Sequence, residues 1–181
     1  MASWIVLLRA VNVGNRRYPM ARVRETLTAA GFTDVSTHIQ TGNIALTTGT
    51  TAQDRVEEAV GTALTKDIGF HVEALALTPA ALAELAADTA ELSARHRPEV
   101  GHFVSVLRAP ATSDAADALH GLRREGEVLV VRGRAVHLLL DRPFREAKTT
   151  GPVIERLAGL ATTRNARVIA ALAANWAPPA P

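Results

Sequence analysis

No cysteine occurs anywhere in the 181 residues, and this excludes disulfides, thiolate catalysis and zinc sites with sulfur ligands. Aromatic residues make up only 4% of the chain, and none lies between Val35 and Leu46. An RNA-recognition surface that stacks bases on strand aromatics is therefore not expected there. Lysine is nearly absent: Lys66 and Lys148 are the only two, so the basic side of the balance is arginine. The formal net charge is +2. Residues 1–77 carry seven basic and seven acidic groups and residues 78–181 thirteen and eleven, so neither half is a basic patch of the kind that marks DNA binding. No apolar run approaches the length of about 18 residues that a membrane span needs, and the N-terminus lacks the pattern of a secretory signal. The sequence reads as cytoplasmic, with no membrane partner.

Metal and cofactor motifs are missing too. The histidines at 38, 71, 96, 102, 120 and 137 are scattered, with no metal-ligand spacing such as His-Glu-x-x-His, and no metal or cofactor is expected. The loop Gly14-Asn15-Arg16-Arg17 lacks the Gly-Lys-Ser/Thr ending of a phosphate-binding P-loop and the triple glycine of a dinucleotide fingerprint.

What is present is a repeated order of elements. Trp4 to Leu8 is an uninterrupted apolar run, which fits a strand covered on both faces. Met20, Val23, Leu27 and Ala30 recur at helical spacing, with Gly31 at the C-cap. Val35, Thr37 and Ile39 alternate with polar residues, and a second alternation follows Thr41-Gly42-Asn43, predicting a hairpin. Thr51, with Asp54 three residues on, is placed to cap a helix running to Gly69, and Phe70 to Leu77 is a fourth strand. Strand, helix, strand, strand, helix, strand is the split βαβ or ferredoxin-like unit. Phe103 to Leu107, a helix capped by Thr112 or Ser113, the hairpin Val128 to Leu140, a helix opening at Pro152 and a brief strand at Leu160 to Thr163 repeat that order. The expected fold class is α+β. Two tandem ferredoxin-like domains with antiparallel sheets occupy residues 1–77 and 101–164. A linker helix and loop fill 78–100, and a C-terminal helix with a disordered Pro/Ala tail fills 165–181.

Chemistry gathers where the first strand ends. Gly14 supplies positive φ, Pro19 fits the first turn of a helix, and Arg9, Asn12, Arg16 and Arg17 lie near backbone N–H groups that a helix start leaves unpaired. With His38, Gln40 and Asn43 of the hairpin, this is one way to build an anion site. Asn12 and Asn43 have a second reading, as turn residues that bond their own loops. His38 has no Asp or Glu within its hairpin to orient it as a general base.

Leu-Leu-Arg-Ala-Val-Asn-Val-Gly at 7–14, Pro19-Met20, Gly31-Phe32 and His38-Ile39-Gln40-Thr41-Gly42-Asn43 resemble a bacterial family, domain of unknown function 1697. The resemblance implies two ferredoxin-like domains in tandem and no settled activity. Ala10 stands where that family usually has Gly, and Thr41 where it has Ser. Lys148, Arg164 and Asn165 match its later motifs, whereas the Trp, Asn and Thr that follow there are replaced by Ala166, Arg167 and Val168. Three classes of function stay open. The first, which the convergence of amides and arginines favours, is a protein that binds a small molecule or a phosphate-bearing ligand in a cleft between domains, as an enzyme or not. The second is a nucleic-acid-associated protein using arginine contacts to the backbone. The third is a protein-interaction or structural module.

Overall fold

The structure is a computed structural model that describes residues 1–14, 17–122 and 124–178. It divides into two compact units, Met1–Leu82 with Asn175–Pro181, and Ala83–Ala174. Each unit contains one four-stranded antiparallel sheet, and the fold is α+β with two tandem ferredoxin-like βαββαβ units.

In the first unit, β1 (Ala2–Arg9), α1 (Met20–Ala29), β2 (Thr33–His38), β3 (Asn43–Thr48), α2 (Gln53–Ile68) and β4 (Glu73–Leu77) build a sheet of order β2-β3-β1-β4. Trp4 to Leu8 are all buried, as a run apolar on both faces requires. Trp4, Val6 and Leu8 join Ile44, Leu46, Ala74 and Ala76 under Val23 and Leu27 of α1 and Val56, Val60 and Leu64 of α2. Ile5, Leu7, Leu75 and Leu77 point to the other face and are buried as well. Two local readings change. Ile39 is not a strand residue: it sits past the end of β2 with φ 48° and is 47% exposed, because the turn to β3 starts one residue earlier than the alternation suggests. The residue flanking α2 is Ala52, which makes no side-chain cap; Thr51 lies one position too early, and Asp54 serves the helix start only as first-turn charge.

The second unit repeats the plan with β5 (Gly101–Leu107), α4 (Ser113–His120), β6 (Glu127–Arg132), β7 (Ala135–Leu140), α5 (Gly151–Ala158) and β8 (Ala161–Asn165), in sheet order β6-β7-β5-β8. Thr112 caps α4 by accepting from Ala115 N. The division between units falls inside α3 (Pro79–His96), after Leu82. Beyond that point α3 is tied to the second sheet: Arg132 bridges Asp88 and Glu91, and Ser93 Oγ meets His102 Nδ1 at 2.8 Å. α6 (Ala166–Trp176) closes the chain, and Pro179 to Pro181, the end of the expected disordered tail, lie outside the described residues. Among the described residues no helix is long and apolar enough to cross a membrane.

His102 and His137 are buried side by side on the second sheet, with Nε2 of the first 3.0 Å from Nδ1 of the second. Whichever ring donates, Nε2 of His137 is buried without a hydrogen-bond partner. Burial pushes both pKa values down from 6.5 to about 4. The unfolded chain therefore binds more protons than the folded one between those values, and stability is lost as pH falls from about 6.5 towards 4. Each histidine contributes on the order of 3 kcal/mol at most to that loss. Melting temperature measured across this range should decline, and a His102→Gln, His137→Gln double variant should show a flatter profile.

Candidate functional site

β1 and β3 run antiparallel with Leu7 opposite Asn43, so the exit of β1 and the β2–β3 turn lie at the same end of the first sheet. Leu8 N donates to Gly42 O at 2.8 Å. A Cβ on Gly42 would stand 2.7 Å from Leu8 Cβ, and its φ is 72°, so both the space and the backbone demand glycine. The turn is in this way pressed onto the strand.

Asn12 ties the two loops together. Its Nδ2 donates to Gln40 O at 2.7 Å and to Tyr18 O at 2.9 Å, and its Oδ1 accepts from Tyr18 N at 2.7 Å. Asn43 is fully buried, and its Nδ2 donates to His38 O at 3.1 Å and Thr41 Oγ1 at 2.9 Å. Both amides thus have their N–H donors engaged in shaping loops, which is the geometry of the turn reading. The chain between β1 and α1 alternates through left-handed positions, Ala10 at φ 55°, Asn12 at 58° and Gly14 at 58°. For Ala10 that conformation is costly, about 1–2 kcal/mol against glycine.

Under the loop stands Tyr18, wholly buried in the core. Its hydroxyl donates to Asp67 Oδ2 at 2.7 Å, and the same carboxylate receives Arg22 Nε at 2.8 Å and Nη2 at 3.1 Å. Burial pushes the phenol up to about 12. The Arg22 guanidinium, followed by the phenol, holds the Asp67 carboxyl below its ordinary range. The sequence reading missed this support, because Tyr18 and Asp67 lie 49 residues apart and no local pattern joins them.

Among the other expected site residues, Arg9 lies opposite Glu73 across the β1–β4 ladder. Arg17 and Gln40 are exposed, and neither side chain makes a hydrogen bond to the described residues. Gly14 has open space around its Cα. Arg16 lies outside the described residues. The His38 ring lies T-shaped to that of Trp176 at a centroid distance of 6.3 Å, with Asn175 Nδ2 3.5 Å from its Nδ1. Among the described residues no carboxylate orients its ring. The remaining three expected residues belong to the second unit. Lys148 is exposed, and its main-chain N–H donates to the Glu127 carboxylate at 2.7 Å. Burial works against the charge of Glu127, but this bond, a second from Thr149 N at 3.0 Å and the charge of Arg124 keep its carboxyl below the ordinary value. Arg164 is buried, with Nη1 donating to Thr162 Oγ1 and Thr163 O, and burial pulls its pKa down to about 10, so it remains charged at neutral pH. Asn165 accepts from Val168 N at 2.9 Å and caps α6.

Residues 1–137 match the family described as "Protein of unknown function (DUF1697)". The chain belongs to this family. A solved structure described as that of a conserved bacterial protein from Streptococcus pneumoniae shares the fold, with a TM-score of 0.70 and 21% identity over 97% of this chain and 98% of that one. No curated protein matches the chain.

The loop geometry has two consequences for stability. Ala10→Gly should stabilise the protein by about 1 kcal/mol, since it relieves a left-handed alanine. Asn12→Ala should cost roughly 1–3 kcal/mol, because main-chain groups of Tyr18 and Gln40 lose their partners. Denaturant unfolding of both variants measures these effects. A neutral Asn12→Ala would show that the loop does not depend on this amide.

Proposed function

We propose that this protein binds a small phosphate-bearing molecule where the loop after β1 meets the β2–β3 turn of the first unit. One observation carries the reading: α1 begins with no side-chain cap and no acidic residue in its first turn, three residues after the exposed Arg17, whose guanidinium bonds none of the described residues. The N–H groups of a helix start carry partial positive charge and need acceptors. α2 has Asp54 there and α4 has Thr112 and Asp114, whereas α5 starts as bare as α1 but without an arginine just ahead of it. At α1 a phosphate would supply the missing acceptor and Arg17 a charge-assisted hydrogen bond, with the Gln40 amide within the same loop pair. Asn12 and Asn43 then act on the ligand indirectly, by holding the loops in register.

A second reading has its own observation. Val13 is 65% and Ile39 47% exposed, and these two aliphatic side chains sit on the two loops just described. Large exposed aliphatics on adjoining loops favour a docking surface for a protein partner.

Thermal denaturation with inorganic phosphate, nucleoside monophosphates and nucleoside diphosphates at millimolar concentration separates the two. Phosphate binding predicts a rise in melting temperature that Arg17→Ala removes, while the unliganded variant melts within about 1 °C of the parent because exposed arginines contribute little to folding. If none of these compounds shifts the transition, the phosphate reading fails and the docking surface stands.

A further inference from the structure

A recess lies on the first unit, away from the loop end. It has a volume of about 230 Å³ and opens over the edge strand β2, with Ile5 and Ala45 among its lining, Trp176 and Pro79 beside them, and Ser3, Ser36, Thr47 and Asp34 providing polar groups. We infer that this recess binds an organic cation, an ammonium or guanidinium group on an apolar stem, between the Trp176 indole and the Asp34 carboxylate.

Three independent features support the assignment. The first is the backbone. β2 pairs with β3 through a register shift between Thr33 and Ser36, and Asp34, inside that irregularity, holds φ 52°. A bulge at a strand edge turns a side chain out of the ladder's alternation, and a non-glycine residue in the left-handed region persists there at a cost. Among the described residues that line the recess, the one so placed is the only acidic or basic side chain.

The second is unclaimed hydrogen-bonding capacity. The exposed Asp34 carboxylate and Ser3 and Ser36 hydroxyls, with the Thr47 hydroxyl and the indole N–H of Trp176, make no hydrogen bond to the described residues and are open to a ligand. By contrast, the indole N–H of Trp4 donates to Thr50 O at 3.1 Å. A carboxylate with three hydroxyls is acceptor-rich, suited to the several N–H donors of an ammonium or guanidinium.

The third is the ring. Trp176 is the last residue of α6, and its ring lies T-shaped to His38 at an interplanar angle of 85°. An indole face attracts a cation more strongly than the other aromatic side chains do, and an apolar stem can lie along Ile5 and Ala45. Charge decides against an anion, since the single charge of the lining is negative and would repel a phosphate. This separates the recess from the phosphate reading above, and either can fail without the other.

Calorimetric titration tests the assignment, using agmatine and spermidine as free amines and a capped Gly-Arg-Gly tripeptide for a guanidinium carried by a protein, each with and without phosphate. The expected result is saturable binding at millimolar concentration or below, weakened about tenfold or more by Asp34→Asn and by Trp176→Ala. Asparagine tolerates the left-handed backbone, so Asp34→Asn removes the charge without disturbing the bulge. Ser36→Asp adds a carboxylate and should tighten binding severalfold. Agmatine or spermidine binding more tightly than the tripeptide identifies a free amine as the ligand, and the tripeptide equalling them identifies a side chain of a partner. No saturable heat with any of the three, or an affinity unchanged in folded Asp34→Asn and Ser36→Asp, overturns the proposal.

Discussion

β1 is hydrogen-bonded on both edges, to β3 and to β4, and buried on both faces from Trp4 to Leu8. A strand held in this way cannot shift its register without moving two ladders and breaking two apolar layers. Its exit is therefore fixed in space, and the chain must climb from the plane of the sheet to the start of α1 within the ten residues between Arg9 and Met20. Left-handed residues at Ala10, Asn12 and Gly14 make that climb. A loop bent in this way cannot satisfy its own main chain, and Asn12 supplies the missing partners while Tyr18 anchors the far end in the core. The candidate site is thus a consequence of the central strand.

The second unit meets the same demand with other residues. Leu107 N donates to Arg134 O at 2.7 Å, and Arg134 Nε returns a bond to Leu107 O at 2.9 Å, so an arginine on the tight β6–β7 turn pins the exit of β5. α4 then starts only six residues after Leu107, with Thr112 already accepting from Ala115 N. The topology is common to both units, and each has one helix start with neither a side-chain cap nor a first-turn acid, α1 and α5; what sets the first unit apart is the loop ahead of α1 that Asn12 ties to the β2–β3 turn. Function cannot be assigned from the shared fold, and the asymmetry between the units is what points to the first.

Much of this fold was legible in the sequence because it is encoded locally. The periodicity of Met20, Val23 and Leu27, the buried run of β1 and the glycines at 31 and 69 act within a few residues of themselves. The order of elements then follows, and the pairing of β1 with β3 brings two separately recognised loops together. What stayed hidden acts over long distances or against propensity. Asn12 reaches Gln40 across 28 residues and Tyr18 reaches Asp67 across 49. Ile39 has the composition of a strand residue yet takes a left-handed turn, since the close approach of Gly42 to Leu8 sets where β2 must stop. Nothing around Asp34 signals a bulge, and nothing in an alanine-rich C-terminal helix signals that its last aromatic residue will lie beside β2.

β2 shows how one device can serve two ends. As an edge strand it has main-chain groups on one side that no strand covers, a standing invitation to pair with another chain. The bulge after Thr33 breaks the regularity that such pairing needs, and Asp34 adds a charge at the break. Protection of the edge is sufficient to explain why the irregularity is tolerated. The carboxylate so placed is exposed and makes no hydrogen bond to the described residues. Water solvates such a carboxylate in the free protein, so a cation docking between it and the Trp176 ring would displace water and break no hydrogen bond to the described residues, and edge protection and ligand binding make no conflicting demand on Asp34.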